Sequence, residues 1–171
     1  MQLRSRNIAL ISILASLAVV IYVMETFIPR PLPWMRFGFG NIIVIIALYL
    51  LGFKFALLVA LIKSCVGALI IGNLFTPAFL LSLSGGLLSV SIMGLMLSIA
   101  SALFSPLGIS LWGALTHNTA QLLIASFFLI RSRAVLNLFP IFLLLSVATG
   151  IVTGAISLAV LKHLSLKKDL F

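Results

Sequence analysis

Residues 64–130 contain no Asp, Glu, Lys or Arg, and this uncharged stretch limits the fold more than any other feature of the sequence. At about 20 residues per crossing, it is long enough for about three transmembrane helices. The 171-residue chain is 63% hydrophobic and 8% charged, whereas soluble domains carry about 25% charged residues. A globule of this size could not hide so much apolar surface from water. The sequence therefore excludes a soluble enzyme, a disordered chain and a disulfide scaffold, and predicts an integral membrane protein.

Proline, glycine and charged residues interrupt the apolar sequence and predict an all-α bundle of six transmembrane helices. We expect one transmembrane domain over residues 1–171, with spans at about 8–28, 41–52, 55–72, 76–102, 106–130 and 135–161. The second span is short for about 30 Å of hydrocarbon, so either neighbouring helices shield it or it continues into its flanking residues. Small residues such as Gly150 and Gly154 in the sixth span predict close helix packing.

The net charge of +9 arises from eleven Lys and Arg residues against two acids, Glu25 and Asp169. Most of the cations flank apolar segments, which favours membrane lipids over nucleic acid as their partners. An even number of spans places both termini on one side, and the positive-inside rule favours the cytoplasm. We therefore predict a multi-pass protein of the cell membrane with four outer arginines that attract an anionic ligand. These outer arginines are Arg30, Arg36, Arg131 and Arg133.

The most distinctive segment is Pro29–Phe39, which we call the strap. Its three prolines cannot sustain a helix and favour extended backbone. In one interpretation, Arg30, Trp34 and Arg36 lie over the mouth of a ligand cavity, where guanidinium groups match phosphate or carboxylate oxygens. In the other, they form an interfacial belt with Trp34 at the level of the lipid headgroups. The sequence leaves both interpretations open.

Polar residues in the middle of two predicted spans indicate a buried polar site. Lys63 is the only formal charge placed mid-span, where an ionisable group usually faces a cavity or a polar partner. His117, Asn118 and Gln121 lie on one side of the fifth span, at a depth similar to that of Lys63. We predict one shared pocket. The alternative is a hydrogen-bonded cluster that holds the helices together.

Several motifs of catalytic chemistry are missing from the sequence. The chain has no GxxxxGK[ST] loop for ATP hydrolysis and no Asp-rich motif for metal-assisted prenyl transfer. It also has no His, Cys and carboxylate set for a metal ion and no Ser/His/Asp set. We therefore expect a protein that is not an enzyme and that uses no cofactor or metal.

Three stretches of sequence carry a family resemblance. The first is ETFIPRPLPWMRFG at residues 25–38, and its similarity continues through Asn41 to Gly52. The second is LSLSGGLLS at 81–89, and the third is GALTHNTAQ at 113–121. They are similar to motifs of the Gx transporter family, also called heptaprenyl diphosphate synthase component I, over roughly residues 8–160. Trp34 replaces the usual Gly of that family, Arg36 replaces a Lys and Ala120 replaces a Gly. The family is similar to the S components of energy-coupling factor (ECF) vitamin transporters.

The resemblance implies a six-helix bundle with both termini in the cytoplasm and a ligand cavity that opens outward. It implies a substrate-capture subunit for a small vitamin-like or isoprenoid-like compound with an anionic group. Such a subunit works with an ECF-type transmembrane partner and cytosolic ATPases. The alternative is a non-catalytic membrane subunit of a heptaprenyl diphosphate synthase, for which the chain offers little cytosolic surface. The expected substrate-binding residues are Glu25, Arg30, Trp34, Arg36, Asn41, Lys63, His117, Asn118 and Gln121.

Overall fold

The described part of the chain consists of six α-helices joined by short connections. The computed structural model describes residues 2–30, 32, 35–100 and 103–168, and side chains within 7–30, 32, 35–100 and 103–164. The helices are α1 (Gln2–Met24), α2 (Asn41–Leu51), α3 (Phe53–Ile70), α4 (Pro77–Ala100), α5 (Pro106–Ile124) and α6 (Phe139–Lys168). The predicted all-α bundle is confirmed.

Four helical regions in the described part are long and apolar enough to cross a membrane, as expected of a membrane protein. They are Asn7–Phe27, Phe53–Ile70, Pro77–Ala100 and Arg133–Leu164. The prediction of six comparable spans is therefore too simple. Helix α2 has only 11 residues, and the apolar character of α5 is reduced by four buried polar side chains. Both helices depend on the rest of the protein to cover them.

The first helix differs from the predicted span 8–28 at both ends. It begins at Gln2, because polar residues beside an apolar run can continue a helix into water. It ends at Met24 and is followed by a 3-10 turn over Glu25–Phe27. Because the residue before a proline avoids the helical region, the helix cannot continue up to Pro29.

The last two helices also differ from the predicted spans 106–130 and 135–161. Helix α5 passes into a π-helical turn over Ala125–Leu129, and a 3-10 helix over Arg133–Leu138 precedes α6. Pro140 accounts for the late start of α6, because a residue without an N–H fits only the first turn of an α-helix.

Five of the helices form an arc in the order α1, α3, α4, α5 and α6. Helix α2 packs on the inner side of this arc, where it contacts both of its ends, α1 and α6. Its residues 42–48 are all buried in the main hydrophobic core, together with side chains of α1, α3, α4 and α5. A helix that is apolar on every side is typical of such an interior position.

Glycines bring α5 and α6 into backbone contact. A methyl group on Gly150 would lie 3.0 Å from the Cα atom of Leu111, and one on Gly154 would lie 2.8 Å from the Cα atom of Leu107. These distances leave no room for a side chain. The close packing predicted from the small residues of the sixth span is confirmed.

Candidate functional site

The second half of the strap runs inside the bundle rather than over it. Residues 35–38 form neither helix nor strand, and Phe39 and Gly40 turn into α2. Met35 and Arg36 are 0% and 2% exposed. Helix α2 is about 17 Å long, against a hydrocarbon thickness of about 30 Å. A buried segment of irregular backbone therefore leads into a helix that is too short to cross the hydrocarbon core alone.

Two side chains satisfy the buried backbone of the strap. The Gln121 amide pairs with both backbone groups of Arg36, because its Oε1 accepts from the N–H at 2.9 Å and its Nε2 donates to the carbonyl at 2.9 Å. The Glu25 carboxylate accepts from the N–H groups of Gly38 at 3.0 Å and Phe39 at 3.1 Å. Non-helical backbone at membrane depth is tolerated only where the protein satisfies it. Gln121 and Glu25 therefore replace the hydrogen bonds that a helix would make for itself.

The Arg36 side chain is buried against α1. Its guanidinium carbon lies 3.8 Å from the centroid of the Tyr22 ring, and its Nη1 donates to the Tyr22 carbonyl at 3.3 Å. The predicted exposed position of Arg36, on an outer loop over a cavity mouth, is wrong. Met35 packs with Leu122 and Phe142, while Arg36 faces Tyr22.

Lys63 bonds to the first residue of α2. Its Nζ donates to Asn41 Oδ1 at 2.6 Å, and both side chains are buried. Gly52 joins α2 directly to α3, and the two helices run antiparallel. Asn41 and Lys63 are equally far along the chain from Gly52, so they lie at the same level of this pair. The predicted polar role of Lys63 between helices is confirmed, but its partner is Asn41 rather than the Asn118 or Gln121 amide.

The imidazole of His117 lies in a slot between two glycines. A methyl group on Gly85 would lie 2.9 Å from His117 Nδ1, and one on Gly38 would lie 3.1 Å from His117 Cδ2. Gly38 also has a φ of +82°, a conformation that favours glycine. Although His117 is 2% exposed, neither of its ring nitrogens makes a hydrogen bond within the described structure.

The structure brings most of the predicted site residues together around the strap. These are Glu25, Arg36, Asn41, Lys63, His117 and Gln121.

Three predicted residues are not part of this group. Asn118 faces α6, where its Nδ2 donates to Ser146 Oγ at 2.9 Å. Arg30 is half-buried at the start of the strap and donates to the Met35 carbonyl at 3.3 Å. Trp34 lies outside the described residues.

Sequence reasoning missed two residues of the site, Tyr22 and Ser64. Tyr22 lies three positions before Glu25, which is about one helical turn, and this spacing was a usable signal. Ser64 is fully buried next to Lys63 in the chain, and no pattern marked it.

The polar groups around the strap are closed off from solvent. A narrow gap lies beneath the strap, lined in part by Gly38, Asn41, Gly113 and Thr153, and it is too narrow to admit a water molecule. A ligand can therefore reach these residues only when the strap moves. The outward-opening cavity of the sequence analysis is absent at the described residues of the site.

The buried group contains more basic than acidic side chains. Arg36 and Lys63 supply two basic groups, whereas Glu25 is the only acid in the described part of the chain. Several buried polar atoms here also have no hydrogen-bond partner within the described structure. They are Tyr22 Oη, Arg36 Nε, Ser64 Oγ and both ring nitrogens of His117. Such atoms are rare in folded proteins because burial without a partner is costly. The arrangement can bind an anion that also accepts hydrogen bonds.

Comparison with known families identifies the chain. The family model described as heptaprenyl diphosphate synthase component I matches residues 14–160. The chain belongs to this family. The match includes every residue of the buried group, from Tyr22 to Gln121, so the site lies within the family domain. No curated protein and no solved structure matches the chain.

Proposed function

We propose that this member of the heptaprenyl diphosphate synthase component I family is a substrate-binding membrane subunit, similar to the S components of ECF transporters. Its substrate is a small vitamin-like or isoprenoid-like compound with an anionic group. The main support is the buried excess of positive charge beside the strap, at Arg36 and Lys63. If these residues only held the helices together, an apolar residue in place of a buried basic side chain without an ion-pair partner in the described structure would make the protein more stable.

The donors around the strap fit an anion with more than one oxygen atom. Lys63 uses one of its three protons on Asn41, and Arg36 Nε has no acceptor in the described structure. The hydroxyl of Ser64 adds a further donor without a partner. A carboxylate or phosphate supplies several acceptors in one group.

The apolar lining beneath the strap suits the body of such a ligand. Ile45 and Met93 line the narrow space next to Asn41. A compound with an anionic head at Lys63, beside Asn41, and an apolar body toward Ile45 would therefore find matching surfaces at both ends. Flavin, quinone precursor and prenyl phosphate chemistry all meet this description.

Ligand entry requires displacement of the strap. The strap is held by the side chains of Gln121 and Glu25 and not by helical hydrogen bonds, so it can leave without unwinding a helix. Burial of the ligand would then replace the contacts that the strap gives up.

The proposed assembly includes an ECF-type transmembrane partner and cytosolic ATPases, because the sequence has no nucleotide-binding loop of its own. In this assembly both termini are cytoplasmic and the strap end of the bundle faces outward. The orientation is tested with Ser132→Cys in a chain from which Cys65 has been removed. We expect labelling by an impermeant thiol reagent from the outside, and labelling only from the inside would reverse the topology.

A second candidate function follows from the description of the family model. The chain would then be a non-catalytic membrane subunit that holds a soluble heptaprenyl diphosphate synthase near its lipid product. The buried charge at Lys63 has no role in such a scaffold, which is why we favour substrate binding.

Purification from native membranes distinguishes the two functions. Bound small molecules and co-purified proteins are identified by mass spectrometry for the parent chain and for Lys63→Met. Lys54→Met is the matched control, because Lys54 is an exposed lysine of the same helix. We expect an anionic small molecule and ATPases with the parent and with Lys54→Met, and loss of the small molecule in Lys63→Met. A prenyl diphosphate synthase without any small molecule would favour the second candidate.

A further inference from the structure

An open apolar groove follows the outer face of α5, between α4 and the start of α6. It has a volume of about 450 Å³ and is lined in part by Leu88, Ile92, Trp112, Leu115, Leu123 and Phe139. Trp112 and Leu123 are 41% and 43% exposed, so the groove opens on the outside of the bundle. From Trp112 to Leu123 it is about 16 Å long, which is about half the hydrocarbon thickness. The groove therefore matches the depth of one lipid leaflet.

Two exposed arginines lie beyond one end of this groove. Leu123 and Phe139 line that end, and the connection between them carries Arg131 and Arg133. Neither guanidinium has an acidic partner in the described part of the chain, where Glu25 is the only carboxylate and binds the strap. A lipid headgroup at this level would therefore meet two unneutralised cations.

The turn that carries the arginines is held in place. Ser126 Oγ donates to the Ser132 carbonyl at 3.0 Å, and the Ser132 N–H donates to the Ser126 carbonyl at 3.1 Å. Between these bonds Arg131 has a φ of +52°, which is uncommon for a residue with a side chain. The backbone at this position is thus fixed relative to the end of α5.

We propose that the groove and the arginine pair form a binding site for one anionic phospholipid. One acyl chain lies in the groove, and the headgroup phosphate binds Arg131 and Arg133. The length of the groove fits the chain of one leaflet, and the charge of the phosphate complements the arginines. This lipid site shares no residue with the buried group at the strap, so the test of lipid binding is independent of the proposed function.

Trp112 provides a reporter inside the groove. The chain has two tryptophans, and Trp34→Phe leaves Trp112 as the only one. The variant is placed in bilayers that contain equal fractions of dibrominated phosphatidylglycerol or dibrominated phosphatidylcholine, whose bromine atoms quench nearby tryptophan fluorescence. Each arginine near an anionic surface is worth about a fivefold change in affinity, so the pair gives about 25-fold. We therefore expect about a 25-fold preference for phosphatidylglycerol at Trp112.

Further substitutions in the same background test the two parts of the site. Arg131→Gln with Arg133→Gln should abolish the preference, and the two Arg→Lys changes together should retain most of it. Thr116→Phe, which fills the groove, should reduce quenching by both lipids. The matched control is Val152→Phe, because Val152 is 47% exposed on α6 away from the groove.

Three outcomes would overturn the proposal. Equal quenching by the two lipids would make the groove an ordinary lipid-facing surface. A preference that survives the double Arg→Gln change would remove the arginines from the site. Relief of quenching by a polyprenyl phosphate, but not by an equal amount of unbrominated phosphatidylglycerol, would assign the groove to a prenyl lipid instead.

Discussion

The strap residues 35–38 and helix α2 pass through the same bundle interior in succession, but they satisfy their backbones in opposite ways. Helix α2 makes its own hydrogen bonds and contributes apolar side chains to the core. Among residues 35–38, the Met35 N–H and the Gly38 carbonyl bond to nearby backbone groups, but the peptide groups of Arg36 and the N–H of Gly38 depend on the side chains of Gln121 and Glu25. A few correctly placed polar side chains can therefore satisfy buried backbone groups that would otherwise need the hydrogen bonds of a helix. This dependence makes the strap sensitive to single substitutions that α2 would tolerate.

The largest effect is expected from Gln121→Leu, which leaves the N–H and the carbonyl of Arg36 buried without partners. Each such group costs about 1–3 kcal/mol, so the free energy of unfolding should fall by about 2–6 kcal/mol. The measurement is thermal or denaturant unfolding in detergent. An unchanged midpoint would mean that the strap backbone does not depend on α5.

A smaller loss of stability is expected from Glu25→Gln. The amide retains one oxygen acceptor, but its NH₂ group faces an N–H that can only donate. Loss of one charge-assisted hydrogen bond should lower the free energy of unfolding by about 1.5–3 kcal/mol. If the variant unfolds at the same midpoint as the parent, the carboxylate has no role in holding Gly38 and Phe39.

Two adjacent glycines of α4 provide a matched pair. Gly85→Ala forces a methyl group to 2.9 Å from His117 Nδ1 and should cost about 1–3 kcal/mol. Gly86→Ala meets nothing closer than Ser64 Oγ at 3.8 Å, so its higher helix propensity should stabilise the protein by up to about 1 kcal/mol. Similar midpoints for the two variants would contradict the slot around His117.

The smallest change in stability is expected from a substitution in α2, Tyr49→Phe. The hydroxyl of Tyr49 is buried without a hydrogen-bond partner in the described structure, so Tyr49→Phe removes no bond. We expect a change within about 0.5 kcal/mol, because deletion of an unpaired polar group is close to neutral. A large loss of stability would show that α2 relies on polar contacts as the strap does.

The helices were predictable because apolar runs and their proline or glycine boundaries are local features. The α2–α3 pair and the packing of Gly150 against α5 follow from such local patterns. The absence of a helix at the described strap residues was also predictable from the prolines. The helix ends at Gln2 and Phe139 were not, because they depend on polar flanks and on the first-turn position of Pro140.

Most members of the polar group around the strap were predictable, but their contacts were not. Lys63, His117 and Gln121 were predicted as site residues because they are polar and lie in the middle of predicted spans. All three lie next to the strap or its junction with α2. The burial of Arg36 could not be predicted, because its backbone partner is 85 residues away along the chain. No local pattern showed that a proline-rich segment enters the bundle, since only the assembled helices provide the space.

The long separation between Arg36 and Gln121 has a consequence for biosynthesis. A transmembrane helix can enter the bilayer as soon as it is made, because it satisfies its own backbone. The strap cannot, since its buried peptide groups find their acceptor and donor only after α5 has been synthesised and inserted. We therefore expect nascent chains that end before Gln121 to keep residues 35–38 accessible to proteases or to water-soluble reagents. The strap is among the first segments to leave the ribosome and among the last to reach its final position.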